Sequence, residues 1–207
     1  MVIRAMNCFI PIIYTEVNLK LHNQFLRITI YLWLMTAQMK GNPMKDYDQI
    51  LKQLEKQEQE LQFDNFSNEM AWTIGTMLVE KARSLQAPVT IDIKRSGQQL
   101  FHYAFEGTTP DNDVWVTRKS NAVARFFHSS HYMHESLEKT NRTLEEAKLI
   151  PSSEYACHGG SYPIIIKNTG VIGSITVSGL ASEDDHNMII AVLSEYLGVE
   201  YDTSSYS

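Results

Sequence analysis

The run Cys157-His158-Gly159-Gly160-Ser161-Tyr162-Pro163-Ile164-Ile165-Ile166, joined through Lys167-Asn168-Thr169 to Gly170-Val171-Ile172-Gly173-Ser174-Ile175-Thr176-Val177-Ser178-Gly179, decides the fold. β-Branched residues fill both halves and Asn168-Thr169-Gly170 is a turn signal, so Tyr162 to Lys167 and Val171 to Ser178 read as paired strands. A connection this short forces antiparallel pairing, because parallel neighbours need a crossover of a dozen or more residues. At the mouth of the hairpin stand His158, Gly159 and Gly160. Glycines tolerate positive φ and let backbone N–H groups approach a ligand, while an imidazole near neutral pH donates, accepts or ligates. The trio reads as a binding site rather than a complete catalytic constellation.

A second hairpin lies upstream. Val89-Thr90-Ile91-Asp92-Ile93 alternates as a strand, Lys94 to Gln98 turns, and Leu100 to Phe105 returns. Two hairpins argue against a doubly wound nucleotide-binding sheet. Helices flank them. Ile50, Leu51, Leu54 and Leu61 line one face of an amphipathic helix from Lys45 to Leu61. Ser67 caps a second helix, with Ala71, Ile74, Leu78, Ala82 and Leu85 at its apolar positions. Asp113 is expected to cap a third, carrying Trp115, Val116, Ala122, Val123, Phe126 and Phe127. Thr143 with Glu146 forms a capping box for a short helix before Pro151. Ser182 with Asp185 opens the last helix, through Ile189, Val192, Leu193 and Tyr196. The expected fold class is α/β of the α+β kind, an antiparallel sheet flanked by helices.

A net charge of −6 over 207 residues, with no lysine-rich run, argues against nucleic acid and anionic membrane surfaces as partners. The two cysteines, Cys8 and Cys157, stand at opposite ends of the chain, which excludes a disulfide framework and suits a reducing cytoplasm. Phe25 to Met35 is apolar but interrupted by Arg27. It is shorter than the roughly 20 residues a membrane span needs, and no small-residue cleavage site follows it. Gly41-Asn42-Pro43 is a breaker. Residues 1–43 therefore read as an N-terminal extension upstream of a working start at Met44, and residues 44–207 as one domain with a leading amphipathic helix.

Several ordered motifs carry a family resemblance. They are Asp111-Asn112-Asp113-Val114-Trp115-Val116, Arg118-Lys119, Arg125-Phe126-Phe127-His128-Ser129-Ser130, His158-Gly159-Gly160, Gly170-Val171-Ile172-Gly173 and Val177-Ser178-Gly179. Between about Phe66 and Leu197 the chain resembles the GlcG/HbpS-like superfamily, the heme-degrading-domain proteins, and one bacterial and fungal subfamily within it. The resemblance implies a profilin-like sheet with helices packed on it, assembly as a homo-oligomer, and a ligand that is a heme, a corrinoid or another small anion.

His158, Gly159, Gly160, Arg118, Arg125 and His128 are the residues expected to bind that ligand. Arg118, Lys119 and Arg125 form a basic cluster beside aromatics, suited to a propionate or phosphate; the plainer alternative is a solvated helix face paired with Asp111 and Asp113. His158 either ligates iron, bonds a carboxylate, or anchors its own loop. His128, His131 and His134 recur every three residues and would span about 120° of a helix, but Ser129-Ser130 invites the helix to end there, and no metal site is expected. Cys157 reads as a buried small hydrophobe, because strand neighbours point to opposite faces and it cannot form a dyad with His158. Asp184, Asp185 and His186 read as helix-start residues.

Three functions fit: an oligomeric binding module, an enzyme that degrades heme or modifies a small acid with His158 or His128 as acid and base, and a protein-interaction scaffold. The leucine stripe of the leading helix is expected to pack between subunits.

Overall fold

Both hairpins form, and they join through one strand of each. β1 (Thr90–Arg95) pairs with β2 (Gln98–Ala104), β3 (Ser161–Ile166) with β4 (Gly170–Ser178), and β1 with β4, all antiparallel, in the order β2-β1-β4-β3. The computed structural model describes residues 45–200. Cys8, the apolar run Phe25 to Met35 and the breaker before Met44 lie outside them. Six helices accompany the sheet among the described residues: α1 (Tyr47–Glu60), α2 (Asn68–Ser84), α3 (Pro110–Phe126), α4 (Ser130–Thr140), α5 (Leu144–Lys148) and α6 (Ser182–Leu197). No helix among those residues is long and apolar enough to cross a membrane.

Alternation gives the sheet two unlike faces. Ile91, Ile93, Tyr162, Ile164, Ile175 and Val177 are fully buried in the main core with Ile74 and Leu78 of α2 and Ile189, Ile190 and Leu193 of α6. The opposite face carries Thr90, Asp92, Ser161, Ser174, Thr176 and Ser178, also buried. Its groups pair with one another and with α3. The Ser161 and Thr176 hydroxyls lie 2.8 Å apart, and Asn112 donates to the Ser178 carbonyl at 3.3 Å.

Local signals explain most helix ends. Ser67 Oγ accepts the Met70 N–H at 3.2 Å, and Thr143 and Glu146 close their capping box. Three expectations are corrected. α3 begins at Pro110, because proline at the first helical position leaves no donor unpaired; Asn112 accepts the Thr109 N–H at 2.9 Å, and Asp113 is already inside the helix. Ser129 starts a helix as well as following one: its Oγ accepts the Tyr132 N–H at 3.1 Å and opens α4, which carries His131 and His134. Ser182 does not cap α6, whose N-cap is Ala181, because its hydroxyl is taken by the Gly159 N–H.

The leading helix is part of this domain. Leu54 and Leu61 are fully buried within their own chain, so of the apolar stripe only the half-buried Ile50 and Leu51 keep surface that a second subunit could meet. Polar bonds fix α1 to the start of α4 and to α6. The Glu58 carboxylate accepts the Ser129 N–H and His128 Nδ1–H, both at 2.7 Å; Tyr132 OH donates to Glu55 at 2.9 Å, and His186 Nε2 bonds Gln57 Oε1 at 2.9 Å. The bond to Glu58 raises the His128 pKa above its ordinary value, against the opposing effect of burial.

A raised folded-state pKa means stabilisation that is complete below the ordinary histidine value, about 6.5, and is lost as pH rises through the raised one. The difference in melting temperature between wild type and His128→Ala should therefore be largest in mild acid and shrink toward alkaline pH. A difference that grows with pH would contradict the ion pair.

Candidate functional site

The loop leading into β3 is tied down on both sides of one residue. Ala156 N–H donates to the Arg118 carbonyl at 3.0 Å, the Cys157 carbonyl accepts from His134 Nδ1 at 3.2 Å, Gly159 N–H donates to Ser182 Oγ at 2.5 Å, and the Gly160 carbonyl accepts the Val177 N–H at 2.7 Å. His158 is the loop residue that reaches solvent. Its ring meets Trp115 of α3 edge-on, with centroids 5.3 Å apart, and stacks on His134 of α4 at 5.7 Å. The Arg118 guanidinium lies over the same Trp115 ring at 4.4 Å, held by its Nε–H bond to the Ser152 carbonyl at 2.8 Å.

His134, His158 and Arg118 border a cleft of about 340 Å³ whose walls include Leu137, Leu144, Tyr155 and Ala156. Arg118 and Arg142 face Glu138 and Glu145 there, and Glu145 is bonded to the Ser152 N–H at 2.7 Å. The charges balance, so the cleft's distinctive chemistry is its pair of imidazoles on apolar walls. The Cys157 carbonyl can only accept, so His134 carries its proton on Nδ1, and in the neutral ring Nε2 presents a lone pair. Partial burial, then the nearby His134, Lys119 and Arg118, hold the His158 pKa below its ordinary value, which favours the neutral ring at pH 7.

Of the residues expected to bind ligand, the structure brings His158 and Arg118 together at this cleft. Arg125 is exposed beside Tyr155, 5.9 Å from its ring, and is not part of the cleft wall. His128 lies against α1 in its bond to Glu58. Gly159 and Gly160 are buried. Gly160 has φ +112°, and a Cβ there would sit 2.5 Å from the Val177 carbonyl oxygen and 2.8 Å from Lys119 Nζ. Close packing against β4 and α3 requires this glycine, whatever approaches from outside.

A family model described as haem degrading protein HbpS-like matches residues 66–194. The chain belongs to the HbpS-like family. A UPF0303 protein of Streptomyces coelicolor is 43% identical over 146 residues, covering 70% of this chain and 92% of that protein. Among solved structures, the Ybr137w protein shares 33% identity with a TM-score of 0.67, over 72% of this chain and 89% of its own. A structure titled as a PduOC:heme complex shares the fold at 17% identity, with a TM-score of 0.54 over 62% of this chain and 93% of its own. The leading helix α1 precedes the matched HbpS-like segment.

Within this HbpS-like domain, sequence reasoning passed over the most buried chemistry. Lys119, expected either in an anion-docking basic cluster or on a solvated face, and Asp185, expected as a cap, form an ion pair at 2.8 Å with side chains 4% and 1% exposed. Lys119 also donates to the Val177 carbonyl at 3.1 Å, and Asp185 accepts the Leu180 N–H at 3.0 Å. Burial pushes the Lys119 pKa down and the Asp185 pKa up, each opposed by its partner.

Behind His158 the imidazoles continue inward. His134 stacks on His131 at 6.3 Å, and His131 lies 4.8 Å from His186, both inner rings being buried. The three-residue spacing of His131 and His134 was the available signal, once Ser129 is understood as a helix start. Cys157 is buried, and burial drives its thiol pKa up to about 12, which leaves almost no thiolate at neutral pH. Among the described residues no group of three or more histidine, cysteine, aspartate or glutamate side chains is arranged to hold a metal ion.

Proposed function

We propose that this HbpS-like protein is a binding module that holds a small planar ligand, heme foremost, in the cleft beside His134 and His158. The observation that carries the proposal is the imidazole pair on the cleft wall, with the His134 tautomer fixed by the Cys157 carbonyl. The residues present suit heme. An imidazole nitrogen from His158 or His134 would meet the iron, Leu137, Leu144 and Tyr155 offer apolar surface to the macrocycle, and Arg118 offers a guanidinium to a propionate. Bound iron would supply a Lewis-acidic centre; the protein would supply orientation and exclusion of water. The heme complex of a fold neighbour supports heme as the first ligand to test, ahead of a corrinoid or another small anion. The enzyme reading draws less support, since His128 is engaged by Glu58 away from the cleft and the Cys157 thiol is buried. A reducing cytoplasm suits that free thiol.

Absorption titration with hemin tests the proposal. Wild type should shift the Soret band with saturable stoichiometry, His128→Ala should do the same, and His158→Ala and His134→Asn should each weaken binding at least about tenfold. Asparagine at position 134 keeps a donor for the Cys157 carbonyl while removing the ring. No spectral change, or equal binding by all four proteins, would overturn the proposal.

A further inference from the structure

From residue 141 to residue 160 the chain between α4 and β3 holds a single regular element, the five-residue α5. Connections in compact domains are usually about 4–6 residues long, and much longer ones commonly serve as lids or binding loops. The part from Asn141 to Ala156 supplies more than half of the residues that line the cleft. Its attachment is thin. Leu144 and Ile150 pack with Ala122 of α3, Met133 and Leu137 of α4 and Cys157 in a small cluster apart from the main core. Two side chains of α3 tie it down at the surface: Arg118 Nε–H donates to the Ser152 carbonyl at 2.8 Å, and Asn121 Nδ2–H to the Glu154 carbonyl at 2.9 Å. Other bonds stay within the segment, such as Ser152 N–H to Glu145 at 2.7 Å and Tyr155 N–H to the Pro151 carbonyl at 3.2 Å.

Both ends of the segment are fixed. Asn141, left-handed at φ +49°, closes α4, and at the far end Ala156 N–H bonds the Arg118 carbonyl while the Cys157 carbonyl accepts from His134. Between them Leu149 is also left-handed, at φ +56°, and 90% exposed. That conformation strains a leucine, whereas asparagine and glycine visit it readily. No burial offsets the strain. A strained, lightly packed stretch held by surface bonds opens locally at a fraction of the cost of global unfolding.

We infer, on the reading of the cleft as the ligand site, that residues 142–155 form a strap that opens from α3 to admit the ligand and closes over it, with Arg118 as the latch. Leu137 of α4 and Leu144 of the strap pack in one cluster and line the same cleft, so a planar ligand inserted between them must part them. Arg118 couples occupancy to closure. One of its five N–H donors holds Ser152 and four remain for a ligand carboxylate, so a carboxylate that orders the guanidinium also secures the strap. Ligand and closed strap stabilise each other, and loosening the strap weakens the ligand by the same factor. Opening also lets Leu149 leave its strained conformation.

Cys157 reports on the strap, because its thiol is buried with Leu144 and Ile150 and opens to a reagent when they lift away. Maleimide labelling is followed on the full chain carrying Cys8→Ser, which leaves one thiol. At low urea the rate should depend little on denaturant, the mark of local opening. Asn121→Ala removes one tie and should speed labelling about three- to tenfold. Leu149→Asn relieves the closed backbone and should slow it, and both variants should keep the circular dichroism of the parent. Gallium protoporphyrin should enter and leave Asn121→Ala faster than the parent by a similar factor. Labelling with the full denaturant dependence of global unfolding in all three proteins, or a rate that neither substitution moves, would overturn the strap. Equal porphyrin uptake rates in the parent and Asn121→Ala would overturn its role as a gate. A porphyrin that binds none of the proteins would sink the ligand reading instead, and the labelling would still decide the strap.

Discussion

Replacing Lys119 by methionine should destabilise the protein by roughly 3–5 kcal/mol, the loss typical when one member of a buried ion pair is removed. Methionine fills much of the same space, so the loss is electrostatic. It strands the Asp185 carboxylate in the interior with only the Leu180 and Gly179 N–H groups for company. The pair lies directly beneath Gly160, so the disturbance reaches the loop that carries His158. Removing both charges, as Lys119→Met with Asp185→Leu, should recover most of the loss, because a well-packed apolar pair avoids the desolvation that the ions suffer. Denaturant unfolding of the three proteins decides the matter. A single variant that loses less than about 1 kcal/mol would place Lys119 with surface pairs and contradict the burial described here.

Gly160→Val should be as severe, for steric reasons. Its φ of +112° belongs to a region that side-chain-bearing residues avoid, at a strain of about 1–3 kcal/mol. The Cβ would also press on the Val177 carbonyl oxygen at 2.5 Å and on Asp185 Cβ at 2.7 Å, and overpacking of that kind adds another 1–3 kcal/mol or so. His158→Ala, which changes only the exposed side chain of the anchored loop, should stay within about 0.5 kcal/mol of wild type. Hemin binding should therefore fall in both variants, and the melting temperature in Gly160→Val alone. A valine variant that melts like wild type would show that the loop has room the structure denies it.

What the sequence made legible was local. Alternation and turn residues located both hairpins, and the caps at Ser67 and Thr143 stand where their hydroxyls suggested. These features depend on neighbours a few positions away. What it hid was decided by contacts far along the chain. Lys119 and Asp185 are polar by composition and buried by the polar face of the sheet, which no helical pattern reveals. Ser182 looked like a cap because its partner, Gly159, is 23 residues distant. The serines after His128 suggested only an ending, so His134 was weighed with His128 and His131 as a metal repeat and not beside His158, against which its ring lies. Trp115 and His158 are 43 positions apart, and their contact is invisible to periodicity.

The most direct test of the cleft as the ligand site is ring-selective NMR of the histidines during titration with gallium protoporphyrin, a diamagnetic stand-in for heme. The account predicts that His134 begins with its proton on Nδ1, that the ring nuclei of His134 and His158 shift first and furthest, and that those of His102 and His128 stay in place. Shifts centred on His102 or His128, with His134 and His158 unmoved, would contradict it.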